Sequence, residues 1–402
     1  MITVADIEQA RERIKDQIYL SPFPYSETIS RMTGHRVFFK LDNLQITGSF
    51  KERGALNRLL TLTEQESKRG VIAASAGNHG MAVGFHSQRL KIGATIVMPV
   101  QAPLIKVSRV RQYGAETVLS GTDYDAAFAE ARRLAAKRGL TFIHAFDDPW
   151  VIAGQGTIAL EIQEQNHDLD ALVVPVGGGG LIAGIALVIK TMNPKIRVIG
   201  VQAEALPSMK VALEKGQSVT LPPALTIADG IAVRSVGETT LALVKQFVDE
   251  IVTVSEGEIA NAVLLLLEIE KTVAEGAAAV ALAALVNNKL QRRDQNVGLI
   301  VSGGNIDVNL ISRIIEKGLI RDGRLSKFSV VLSDRPGSLA RLAQKIGDLG
   351  GNILQISQTR GFGEMAIGET EVELTLETTG AEHIQRICDG LKKEKFRFRK
   401  ET

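Results

Sequence analysis

The sequence predicts an α/β protein with a separate C-terminal domain, and three observations carry that prediction. Short apolar runs alternate with helix-patterned stretches along most of the chain, glycine clusters stand where several of those runs end, and the C-terminal segment changes to a strand-helix-strand-strand-helix-strand order. A chain of 402 residues is too long for one ordinary domain, and 45% apolar with 23% charged residues is a globular composition.

In chain order, the runs Val37-Phe38-Phe39, Ala94-Thr95-Ile96-Val97-Met98, Thr117-Val118-Leu119, Phe142-Ile143, Val173-Val174 and Val198-Ile199 read as strands. Their spacing suits parallel strands joined by crossover helices. Ligands collect at the carboxyl ends of such strands, so the segments that follow them are the first place to look for chemistry.

Lys51 is the most informative residue. In Thr47-Gly48-Ser49-Phe50-Lys51-Glu52 it opens the helical run Ala55-Leu56-Asn57-Arg58-Leu59-Leu60, and Ser49 with Glu52 has the S-x-x-E spacing of a capping box. Amide groups and the positive end of a helix dipole disfavour an ammonium there, which biases Lys51 toward the free amine of Schiff-base chemistry. A solvated lysine at a helix start is the plainer alternative.

Two glycine-rich segments and a serine add to this. Ser75-Ala76-Gly77-Asn78-His79-Gly80 follows Val71-Ile72-Ala73-Ala74 and precedes helix-like sequence from Met81; its small residues and helix-start amides suit a carboxylate. Gly177-Gly178-Gly179-Gly180 lies between a buried-strand run ending at Val176 and an apolar helix from Leu181, where consecutive amides would cradle a phosphate. Ser302, in Ser302-Gly303-Gly304-Asn305, ends the run Val297-Gly298-Leu299-Ile300-Val301. Each segment could instead serve packing or capping alone. Gly178, Gly180 and Ala183, with Glu204 further on, also fit a weak dinucleotide-binding pattern, which leaves Lys51, Asn78 and Ser302 unexplained.

Taken together, Ser49-Phe50-Lys51, Ser75-Ala76-Gly77-Asn78-His79, the tetraglycine loop ending in Leu181, and Ser302-Gly303-Gly304-Asn305 resemble the fold-type II pyridoxal-phosphate enzymes, in the threonine dehydratase (threonine ammonia-lyase) branch, over residues 1–318. The resemblance implies two open twisted-sheet subdomains, the smaller inserted at residues 46–146, with pyridoxal 5'-phosphate between them. It implies that Lys51 bonds the cofactor aldehyde and Phe50 packs beside it. Asn78 would meet the 3-hydroxyl, Gly177, Gly178, Gly179, Gly180 and Leu181 the phosphate, and Ser302 the pyridine nitrogen. Ser75, Ala76, Gly77, Asn78 and His79 would receive the amino-acid substrate. A neutral serine at the ring nitrogen weakens the electron sink and suits β-elimination. The implied reaction converts L-threonine to 2-oxobutanoate and ammonia, and L-serine to pyruvate. Racemases of this fold place a serine where Ala76 stands, so Ala76 argues for elimination. Some relatives bind a cation through a carboxylate where this chain has Gln202, with Glu204 close by, so no metal is assigned. An inactive amino-acid sensor is a further alternative, and the intact Lys51 argues against it.

The segment from Lys327 reads as its own domain, after a linker at 319–326. Phe328-Ser329-Val330-Val331-Leu332 is strand-like, Asp334-Arg335-Pro336-Gly337 opens an amphipathic helix over 338–349, and Gly350-Gly351-Asn352 ends it. Strands over 353–359 and 370–377 flank a glycine-bearing loop at 361–368, and a helix over 381–392 with a final strand completes a βαββαβ order. This α+β segment resembles an ACT domain, a regulatory module that binds amino acids where copies pair. The resemblance implies an amino-acid effector, branched-chain amino acids first, and a homodimer or homotetramer.

Net charge is +2, concentrated by the six basic and two acidic side chains of residues 391–402. That tail contributes +4 and leaves −2 for the rest, so no basic surface for nucleic acid is implied for the catalytic region. No apolar stretch reaches membrane-spanning length, since even residues 273–286 carry Glu275, and the N-terminus lacks a signal core. Cys388 is the only cysteine, which excludes an intrachain disulfide and a cysteine-based metal cluster, and a reducing cytoplasm is the expected compartment.

Overall fold

The computed structural model describes residues 2–290, 295–360 and 366–401, so much of the loop expected at 361–368 lies outside the described residues. The chain divides into two compact units, Met1–Ile306 and Asp307–Thr402.

The first unit contains two sheets. The larger has the strand order Tyr25–Ser26, Arg36–Leu41, Asn296–Val301, Ala171–Pro175, Arg197–Ala203 and Glu250–Val254. All its pairings are parallel except that of the first two strands. The smaller is fully parallel, in the order Glu116–Leu119, Ala94–Met98, Val71–Ala74 and Thr141–Phe142. It is built entirely from chain that runs between Arg36–Leu41 and Ala171–Pro175, so the chain leaves the large sheet, completes the small one and returns.

Burial explains the composition of the central elements. Ala171–Pro175 is buried at every position, as a parallel strand covered on both faces must be. Gly276–Val286 is apolar all round because it is an interior helix, with Gly276 to Leu285 buried. Helix Pro149–Gln165 starts where Asp148 caps the Trp150 and Val151 amides and Pro149 takes the first helical position.

A buried ion network ties the large sheet to helix Lys51–Leu60. Arg53 reaches Asp42 through Nε at 2.7 Å and Glu161 through Nη1 at 2.5 Å, and Lys40 Nζ reaches the same Glu161 at 2.5 Å. Burial opposes ionisation of Asp42, yet Arg53 outweighs it and holds the carboxyl below its ordinary range.

The second unit is a four-stranded antiparallel sheet, ordered Asn352–Thr359, Glu369–Glu377, Leu325–Ser333 and Arg397–Glu401, with helices Ser338–Asp348 and Ala381–Lys393. Phe328, Val330, Leu342, Ile346, Leu374 and Ile387 lie in its core. The expected boundary shifts: helix Val308–Arg321 groups with this unit, and its first strand begins at Leu325, because residues 325–327 continue the ladder to Glu377, Leu376 and Thr375.

Candidate functional site

The start of helix Lys51–Leu60 is fastened to the end of strand Asn296–Val301. Phe50 N donates to Ser302 O at 2.9 Å, Gly304 N donates to Gly48 O at 2.9 Å, and Ser49 pairs with Gly303. Two segments far apart in sequence thereby bring Lys51 beside Ser302, which is buried.

The expected capping box does not form. The helix is preceded by Phe50 in a helical conformation with no side-chain cap, Ser49 Oγ is buried without a partner, and Glu52 instead accepts the Thr47 amide. The pairing of residues 48–50 with 302–304 sets this backbone, so local spacing loses to a tertiary ladder.

Lys51 Nζ donates to Ala145 O at 2.8 Å and lies 5.0 Å from the centre of the Phe50 ring. Burial lowers its pKa to about 8, against the opposing pull of Glu275. A half-buried amine whose pKa falls to about 8 can serve as a nucleophile and a base in one group.

Helix Asn78–Arg89 begins at Asn78 itself, a few residues before Met81. Ser75 N donates to Val97 O, and Ser75 Oγ accepts the Gly77 amide at 3.1 Å. The amides of Ala76, Asn78 and His79 meet no acceptor among the described residues, so this turn could hold a carboxylate. Asn78 is fixed from both sides: its Nδ2 donates to Glu275 at 2.7 Å and its Oδ1 accepts from Asn305 Nδ2 at 2.9 Å. Asn305 also donates to Thr47 O and accepts from Arg109. Burial, aided by Asp229, raises Glu275 to about 7. His79 is kept neutral, its pKa lowered by burial to about 3, and its Nε2 lies 3.0 Å from Ile143 O.

The tetraglycine turn lies between strand Ala171–Pro175 and helix Gly180–Met192. Gly179 has φ +95°, a conformation only glycine adopts freely, and a Cβ on Gly178 would stand 2.4 Å from Cγ of Phe146. Thr240 Oγ1 donates to Gly178 O at 2.7 Å. The amides of Gly177, Gly178, Gly179, Gly180 and Leu181 donate to no acceptor among the described residues. A run of free amides at a helix start fits a phosphate, and with the half-buried amine of Lys51 the residues present fit pyridoxal phosphate.

Sequence reasoning missed Glu275, Phe146, Asp147, Thr240 and Arg109. Glu275 had a signal, being the one charge inside residues 273–286; the others had none. Gln202 is buried, with Oε1 accepting the Lys210 amide at 2.9 Å and Nε2 facing Val176 O at 3.3 Å, while Glu204 is exposed. The dinucleotide pattern does not hold as a function, because the loop belongs to a different cofactor family.

That family is shown by comparison with known proteins. Residues 14–303 match the model of the pyridoxal-phosphate dependent enzymes, and the chain belongs to that family. It is 48% identical over 387 residues to an L-threonine ammonia-lyase of Thermotoga maritima, covering 96% of each chain. A structure of the processed form of threonine deaminase isoform 2 from Solanum lycopersicum superposes with a TM-score of 0.75 at 38% identity, covering 78% of this chain and 86% of that one. A serine racemase from Dictyostelium discoideum superposes with a TM-score of 0.72 at 36% identity, covering 76% and 99%. The chain is a pyridoxal-phosphate-dependent lyase.

Proposed function

We propose that this lyase deaminates L-threonine to 2-oxobutanoate and ammonia, and L-serine to pyruvate and ammonia by the same route. Lys51 carries the reading: its amine is half-buried, its pKa is lowered to about 8, and it stands among turns of free amides. Pyridoxal phosphate, when bound, draws electrons from the Cα of the amino acid joined to it, which acidifies the Cα proton and lets the β-hydroxyl leave. The free amine of Lys51 takes that proton, and the Ala145 carbonyl holds the amine while it does so. Amides of Ala76, Asn78 and His79 would receive the substrate carboxylate and those of Gly177 to Leu181 the phosphate, while Asn78 would hold the 3-hydroxyl and Ser302 the ring nitrogen. The β-hydroxyl takes up one proton, matching the one removed from Cα, and leaves as water; one water then hydrolyses the resulting enamine, so water cancels and the net products are one 2-oxo acid and one ammonia.

Ala76 favours this reading over racemisation, since its methyl group cannot return a proton to the opposite face of Cα. The test is to supply L-threonine and L-serine to the holoenzyme and follow 2-oxo acid, ammonia and D-serine together. Keto acid should form much faster than D-serine, and the opposite order overturns the assignment.

The second unit is read as an ACT domain that binds an amino-acid effector. Its βαββαβ order and the Gly350-Gly351-Asn352 turn between helix Ser338–Asp348 and strand Asn352–Thr359 support this. Isoleucine or valine should change the threonine saturation curve of the full chain; no response to any branched-chain amino acid removes those candidates as effectors.

A further inference from the structure

The loop that joins strand Thr141–Phe142 to helix Pro149–Gln165 touches three parts of the site. Ile143 O accepts or faces His79, Ala145 O accepts Lys51, and the Phe146 ring lies against Gly178. His144 folds this loop back on itself, its Nδ1 accepting the amides of Phe146 at 3.2 Å and Asp147 at 2.8 Å. Burial lowers the His144 pKa, which keeps that nitrogen an acceptor.

Asp147 extends the contact to a further element. Helix Glu238–Phe247 begins after Gly237, which supplies no capping side chain. Asp147 Oδ1 accepts the Thr240 amide in the first turn at 3.0 Å and so caps this helix from 93 residues away. Gly237 has no room for a side chain of its own, since a Cβ there would fall 2.1 Å from Cγ of Asp147. Thr240, fully buried, then passes the constraint on, its hydroxyl donating to Gly178 O at 2.7 Å. By occupying that carbonyl, the hydroxyl fixes the peptide plane between Gly178 and Gly179, and with it the direction of the Gly179 amide.

We propose that Asp147 and Thr240 are positioning residues for the glycine loop, aligning its amides so that a phosphate group is held tightly. This rests on the reading of Gly177 to Leu181 as a phosphate cradle. Both act through the loop, Asp147 by way of the Thr240 amide and Thr240 by way of Gly178 O.

The test compares pyridoxal phosphate with pyridoxal, which lacks the phosphate. Retention of each by the full-length protein is followed by the visible absorbance band on serial dilution. In the unaltered protein the phosphate should add strongly to retention, and if it adds nothing the cradle reading itself fails. Given that increment, Asp147→Ala and Thr240→Val should each weaken retention of pyridoxal phosphate about tenfold while leaving pyridoxal within about twofold. Asp147→Asn, which keeps the Oδ1 acceptor, and Thr240→Ser, which keeps the hydroxyl, should restore most of it. Equal loss for both ligands shows a general structural role and overturns the inference, as does an unchanged phosphate increment.

Discussion

Gly178→Ala puts the packing of the cradle to a quantitative test. The added Cβ would stand 2.4 Å from Phe146 Cγ and 2.5 Å from both Cδ atoms. Ordinary carbon contacts begin near ~3.5 Å, so ring and loop must separate by about 1 Å. An aromatic ring cannot yield as a flexible side-chain tip does, and overpacking of this kind costs about 1–3 kcal/mol. At about 1.4 kcal/mol per tenfold, cofactor retention should weaken roughly 5- to 150-fold. Gly177→Ala should be milder, because its Cβ would meet Ile231 Cα at 3.0 Å. The assay is the visible band of the holoenzyme on dilution, with Phe146→Ala and the double variant alongside. If the clash is the cause, the double variant retains cofactor as well as Phe146→Ala alone, a non-additive result. Retention by Gly178→Ala within about twofold of the unaltered protein refutes the reasoning, and so does a double variant whose losses simply add.

Three further outcomes follow from the same geometry. Lys51→Ala should abolish turnover, and borohydride reduction of the holoenzyme should place the pyridoxyl label on Lys51; a label on another lysine refutes the role. Glu275 is held protonated up to about 7, above its ordinary value of 4.5, so ionising it costs folded-state stability as pH rises between those values. The unfolding free energy of the cofactor-free protein, relative to Glu275→Gln, should therefore fall by on the order of 3 kcal/mol from pH 4.5 to 7, and a flat difference would show that the buried carboxyl is not strained. Arg53→Met strands Asp42 in the interior and leaves Glu161 to Lys40 alone, and it should destabilise the first unit by about 3–5 kcal/mol in a denaturant titration; a loss under about 1 kcal/mol would mean that the network rearranges.

Much of the architecture was legible because it is written in local patterns. The parallel strands announce themselves as short apolar runs, and the glycine-rich turns as clusters that follow them. The order of the C-terminal elements follows from alternating strand and helix periods with turn residues between them. Lys51, the two glycine segments and Ser302 were recognisable for the same reason, since each stands at a boundary between element types.

Tertiary structure decided what those residues meet. The capping box suggested by Ser49 and Glu52 gives way to the ladder between residues 48–50 and 302–304, because a long-range pairing settles more backbone groups than a local cap. Glu275 shows itself in the sequence only as a charge within an apolar stretch, just ahead of helix Gly276–Val286, and burial beside Asn78 and Lys51 makes it a titrating partner. Phe146, Asp147 and Thr240 carry no local signature: a cap supplied from 93 residues away has no spacing to read. Periodicity reports which face of an element is buried, whereas the identity of the group across that face depends on the path of the whole chain.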